Sequence, residues 1–196
     1  MILGITGGFG CGKSSVLRFF ESENWFIFDA DAVCRSFYDT AHPDLVKCIR
    51  DNFGEDFFSS GNCIDRAKLG TRLFSRPEEM KLITDILYPL LTGELVRCIN
   101  MCRKKNINGA FELPLLYEAG FEKFFDAVMA VWCPVELRKQ RLRNRNFTPE
   151  EVDRRDRMQI PPEEKLERAD YGIINSGSLN ELEEQLKKSV IILNKY

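Results

Sequence analysis

Histidine is almost missing from this sequence: His42 is the only one in 196 residues. Cysteine occurs seven times, at 11, 34, 48, 63, 98, 102 and 133, as an odd and scattered set without a C-x-x-C pair. That pattern excludes a disulfide framework and reads as reduced thiols. Cys98 and Cys102 lie one helical turn apart, but a structural metal site needs a second pair, and the chain offers a single imidazole. No apolar run approaches the roughly 20 residues that span a bilayer. The opening MILGIT is too short for a secretory signal and has no basic flank, so the expected location is the cytosol. Charge of one sign is lacking too: 28 Lys and Arg against 30 Asp and Glu leave a formal charge of -2. A global footprint for nucleic acid or an anionic membrane is thereby excluded, and any anion site is local. Neither an N-K-x-D guanine signature nor a repetitive or linker-like stretch is found.

What is present is an alternation of strands and helices, the pattern of a parallel sheet covered on both faces. MILGIT reads as a first buried strand and SSVLRFFES as a helix with Val16, Leu17 and Phe20 on one side. WFIFDAD reads as a second strand ending in acids, GAFELPLL as a third, DAVMAVWC as a fourth and YGIIN as a fifth. Residues 32–106 carry helical periodicity, in PDLVKCIRDNF and in RPEEMKLITDILYPLLTGELVRCINMC, where Pro77 suits the first position of a helix. That is too much chain for a simple crossover, so a helical insertion beside the C-terminal edge of the sheet is expected. Residues 136–167 form a second excursion, dense in arginine and acid, where Thr148-Pro149-Glu150-Glu151 announces a helix by a capping pattern. The expectation is one α/β domain over 1–196: a core of 1–31, 107–135 and 168–196 with a five-stranded parallel sheet, and the two excursions.

GITGGFGCGKSS, at the end of the first strand, holds the phosphate-loop pattern Gly7-x-x-x-x-Gly12-Lys13-Ser14 between an apolar strand and an amphipathic helix. Glycines let backbone N–H groups converge on a polyphosphate, and the following helix points its positive end at the same spot. Gly8, Gly10, Cys11, Gly12 and Ser15 thus join Lys13, which reaches the terminal phosphates, and Ser14, whose hydroxyl can ligate Mg2+. The ligand is a nucleoside triphosphate. With water as acceptor the chain would be a motor or switch; with a metabolite, a small kinase. Asp29 and Asp31, two apart on an extended segment, point the same way and could orient an acceptor hydroxyl and help hold Mg2+, although a helix N-cap role for one fits equally. Arg35, four residues after Asp31, shares its face if a helix starts there. Arg138, Arg141 and Arg145 form a guanidinium stripe. Of these, Arg138, like the neighbouring Arg143, reads as a solvated surface charge, whereas Arg141 and Arg145 suit a lid that closes over a transferred phosphoryl group.

These residues resemble the dephospho-coenzyme A kinase family from end to end. The resemblance is carried by GITGGFGCGKSSV, FDADAVCR, RLFSRPEEMKLITDILYPLL, ELPLLYEAGFEKFFDAVMAVWC, QRLRNRN and MQIPPEEKLERADYGIINSGS, in family order and spacing. It implies a P-loop kinase fold and an ATP-dependent, Mg2+-assisted phosphorylation of the ribose 3'-hydroxyl of dephospho-coenzyme A. It further implies that Asp31 is the catalytic base and Mg2+-side carboxylate and that Arg35 binds substrate beside it. Pro114 to Glu118, with Leu115, Leu116 and Glu118, would line the acceptor pocket; Arg141 would be the lid arginine at the ATP phosphates; Asn175 and Gly177 would border adenine. Residues 32–106 are then expected to bind coenzyme A and 136–167 to form the lid. The implied partners are the two small-molecule substrates, with no nucleic acid, membrane or obligate protein partner. Two departures stand out. Tyr88-Pro89 replaces the family's His-Pro, and the expectation is that Tyr88 packs within the insertion. Cys11 takes a position often held by serine, where a lowered thiol pKa and sensitivity to oxidation are expected. Another small P-loop kinase, acting on a nucleotide, shikimate or gluconate, is disfavoured by the insertion and by Asp31 with Arg35. A nucleotide switch is disfavoured by the missing guanine signature.

Overall fold

Five parallel strands, in the order β2-β3-β1-β4-β5, make the sheet of the computed structural model, which describes residues 1–59 and 62–193. Residues 60–61 of the expected insertion and 194–196 of the expected core lie outside them. The strands are β1 (Ile2–Gly7), β2 (Phe26–Asp29), β3 (Gly109–Glu112), β4 (Ala127–Trp132) and β5 (Tyr171–Ile174). The helices are α1 (Lys13–Ser22), α2 (Ala30–Asp39), α3 (Pro43–Phe53), α4 (Arg66–Ser75), α5 (Pro77–Lys105), α6 (Val135–Arg143), α7 (Pro149–Arg157), α8 (Pro162–Arg168) and α9 (Leu179–Leu193).

Every residue of β1 is buried, without the alternation of a half-exposed strand, as a sheet covered on both faces requires. β1 has β3 on one side and β4 on the other. It therefore lies where the strand order reverses, and the crevice beyond such a strand's C-terminal end is where open α/β sheets bind ligands. Two compact units are present, residues 1–29 with 98–196, and residues 30–97. The first has a core of Leu3, Ile5, Val16, Phe20, Trp25, Met129, Val131, Ile173 and Leu186. Full burial of each such side chain contributes about 1.5–3 kcal/mol. The second has its own cluster, with Leu45, Val46, Ile49, Leu69, Leu73 and Ile83 at its centre.

Two strand boundaries and one side chain differ from the expectation. The second strand stops at Asp29, and Asp31 lies in the first turn of α2 instead of on extended chain, so it does not alternate with Asp29. The third strand stops at Glu112, two residues before Pro114, which has no N–H for a ladder. Tyr88 does not pack inward: 39% of its surface is exposed. Ile83 and Leu87 hold the inward stripe of α5, and one residue further the helix has turned by about 100°. The helix start expected at Thr148 is present in full. Its side chain accepts from the Glu151 N–H, and the Glu151 carboxylate accepts from the Thr148 N–H. Among the described residues no helix is long and apolar enough to cross a membrane.

Candidate active site

β1 delivers the chain to the loop at residues 8–12, and α1 begins immediately after it. Gly12 closes the turn in the left-handed region, at φ 96° and ψ 23°. A Cβ there would stand 2.1 Å from Asn175 Nδ2, so conformation and space both demand glycine. α1 has no side-chain N-cap bond and no acid in its first turn, which leaves its positive end suited to an anion.

Lys13 is buried, with Nζ donating to the Gly7 and Gly8 carbonyls at 3.0 and 3.2 Å. The Glu112 carboxylate lies 3.9 Å from the same ammonium and is also buried. Glu112 closes β3, in register with Ile5 of β1 and with Asp29 of β2, so two acids stand side by side on the C-terminal edge of the sheet. Sequence reasoning missed Glu112. The available signal was one acid ending the otherwise apolar GAFE, but its meaning depends on β3 lying next to β1, which only the topology supplies.

Arg141 arrives from α6. Its Nη2 donates to Asn175 Oδ1 at 3.3 Å, and Asn175 Nδ2 donates to the Cys11 carbonyl at 2.8 Å. Its Nη1 is buried without a hydrogen-bond partner and lies 3.8 Å from where a Gly12 Cβ would be. Leaving a buried guanidinium N–H unpaired is costly, and an anion seated on the loop would relieve that cost. Phosphate therefore fits the residues present. Asn175, expected to border adenine, is placed with its amide bridging the loop and Arg141; Gly177 follows it before Ser178 and Glu181 cap α9.

Arg138 is not the solvated charge the spacing suggested. It is 6% exposed, with both terminal guanidinium nitrogens on Asp156 and one of them also on the Phe9 carbonyl. Arg143 is exposed, as expected, and Arg145 is exposed beside the Phe147 ring. In the segment after β3, Leu116 is fully buried and Leu115 partly so. Glu118 accepts from the Ile160 N–H and pairs at 2.9 Å with Lys165, which also donates to the Pro114 carbonyl. Burial pushes the Lys165 pKa down, against the pull of Glu118. This buried ammonium holds the 114–118 segment to α8 and was also missed. Asp31 and Arg35 lie one turn apart on α2, both exposed, in the second unit.

Cys11 is fully buried, and its thiol is hydrogen-bonded to Cys133. That bond draws its pKa below the usual thiol range; burial opposes the shift, while Lys13 and Arg138 add to it. The Cys133 thiol is pushed up by the same bond and by burial. The loop's tie to Asn175 runs through the Cys11 carbonyl, not its sulfur. Cys11→Ser is therefore expected to keep ATP affinity within about fivefold, by calorimetry, and to make that affinity insensitive to thiol reagents. A collapse of binding in the variant would place the thiol itself among the ligand contacts. Among the described residues no cluster of three or more His, Cys, Asp or Glu side chains could hold a metal ion, and Cys98 and Cys102 are buried and not joined in a disulfide.

A phosphate loop at the reversal point of a parallel sheet, with a lysine and an arginine converging on it, defines a P-loop kinase. Comparison with known proteins carries this further. The dephospho-CoA kinase family profile matches residues 1–181. A dephospho-CoA kinase of Enterococcus faecalis is 37% identical over 188 residues, covering 95% of this chain and 94% of the other. One from Aquifex aeolicus is 34% identical over 186 residues, with coverage of 95% and 94%. A Thermus thermophilus protein of known structure aligns with a TM-score of 0.77 at 31% identity, over 98% of this chain and 97% of that one. A dephospho-CoA kinase from Campylobacter jejuni, 24% identical, has the same fold, with a TM-score of 0.76 over 99% and 97%. The chain belongs to the dephospho-CoA kinase family.

Proposed function

We propose that this chain transfers the γ-phosphoryl group of ATP to the ribose 3'-hydroxyl of dephospho-coenzyme A, forming coenzyme A. The observation that supports it most is the convergence of Lys13 Nζ and the unpartnered Arg141 Nη1 on the glycine loop at the end of β1. Phosphoryl transfer asks the protein mainly for positioning and for charge aimed at the moving group. Lys13, Arg141 and the loop amides supply that charge. Asp31 orients the acceptor hydroxyl for in-line attack and takes its proton, and Arg35 beside it binds the acceptor. Leu115, Leu116 and the Glu118 segment border the acceptor, Asn175 and Gly177 the adenine. Residues 32–106 form the coenzyme A-binding region, and residues 136–167 the lid. An Mg2+ ion carried on nucleotide phosphates takes only one or two protein oxygens. The exposed Ser14 hydroxyl, next to Lys13, would take one such place, and the exposed Asp31 carboxylate is the acid that would offer a second oxygen. When bound, the ion neutralises phosphate charge.

ADP release tests the reaction. It is expected with ATP, Mg2+ and dephospho-coenzyme A together, to stop when the ion is chelated, and to be absent with AMP or adenosine as acceptor. Equal release without an acceptor would make the chain an ATPase or switch, and release with AMP would make it a nucleotide kinase.

A further inference from the structure

The tip of the phosphate loop does not stand alone. The Phe9 carbonyl accepts from Arg138 Nη1 at 3.3 Å, and the same guanidinium grips Asp156 of α7 through two bonds of 2.5 and 2.7 Å. The Phe9 ring meets the Phe147 ring edge-on at 5.0 Å, and the Arg155 guanidinium lies 4.4 Å from the Phe9 ring centre. A Cβ on Gly10 would stand 2.8 Å from Leu142 Cγ and 3.1 Å from Arg138 Cγ, so the loop backbone lies directly on α6. Loop, α6 and α7 are thus joined through backbone, charge and aromatic contacts.

Arg141 follows Arg138 by three residues on α6, which puts the two side chains on one face. Wherever Arg138 pins α6 against the loop, the reach of Arg141 to Gly12 is set as well. A bidentate arginine–carboxylate pair fixes orientation as well as distance, which a single hydrogen bond does not. We propose that Arg138, clamped by Asp156, is a positioning residue that sets the place of Arg141 against the phosphate loop. It does not touch the phosphates; it acts through Arg141. The proposal rests on the kinase reading only through ATP and is independent of the acceptor.

A double-mutant cycle read by ATP affinity separates action through Arg141 from general support of the fold. Calorimetric titration with ATP is run on the parent chain, Arg138→Gln, Asp156→Asn, Arg141→Ala and the two doubles carrying Arg141→Ala. Losing one charged contact to phosphate costs Arg141→Ala about 10- to 100-fold in affinity. Arg138→Gln and Asp156→Asn are expected to weaken ATP about tenfold alone and less than about twofold once Arg141 is already alanine. Arg138→Lys, which keeps the charge and one bond, is expected to recover part of the loss. Thermal midpoints are read alongside and are expected to fall equally in both backgrounds. Asp156 is one-third exposed, so Asp156→Asn keeps shape at a tolerant position and carries the test if Arg138→Gln does not fold. Full additivity of the affinity losses would overturn the proposal. A parent chain that bound no ATP would overturn the phosphate-loop assignment and this proposal together, before any variant is compared.

Discussion

Replacing Asp31 by asparagine is expected to lower turnover by about 10²- to 10⁴-fold while ATP affinity stays within about twofold. Asparagine keeps the shape of the side chain but removes its charge, and with it both the proton acceptor and the carboxylate offered to Mg2+. Asp31 is exposed in the first turn of α2, so the change has no buried partner to orphan, and the thermal midpoint should hold. Steady-state kinetics of ADP release, with ATP affinity from calorimetry, give the two numbers. Normal turnover with weakened ATP binding would leave Asp31 a structural or metal residue only. Arg35→Ala, one turn further on, should instead raise the KM for the acceptor and leave that for ATP unchanged.

Lys13→Met carries the second large effect, and it acts on both quantities. The lysine is buried between the Gly7 and Gly8 carbonyls and the Glu112 carboxylate, and its charge is aimed where the terminal phosphates are expected to sit. Its loss is expected to weaken ATP binding and to lower turnover by about 10²- to 10³-fold, the scale of removing one aimed donor from a transfer site. Methionine keeps most of the volume, so cavity formation does not confuse the result. The thermal midpoint is expected to fall too, because a buried carboxylate loses a nearby ammonium. Unchanged ATP affinity would mean that Lys13 only braces the loop.

How much of this was legible in the sequence depended on how local each signal was. The phosphate loop was readable because strand, glycines, lysine and helix are consecutive. The helix at Thr148 was readable because its capping box spans four residues. Asp31 was read as finishing the second strand on extended backbone, because nothing in WFIFDAD marks where the strand gives way to α2. Arg138 was misread because its partners, Asp156 and Phe9, come from other segments. An arginine in a charged stripe looks solvated until the fold buries it. Glu112 and Lys165 were missed for the same reason: a lone acid and a lone lysine acquire meaning only beside Lys13 in one case and Glu118 in the other.

The central claim is that this chain moves a phosphoryl group from ATP to dephospho-coenzyme A. The most direct test incubates the purified chain with ATP, Mg2+ and dephospho-coenzyme A and follows the acceptor by mass spectrometry, with the position of the new phosphate read by NMR. Coenzyme A phosphorylated at the ribose 3' position, absent without ATP and absent in Lys13→Met, is the predicted result. ATP bound by the chain while dephospho-coenzyme A is recovered unchanged would contradict it.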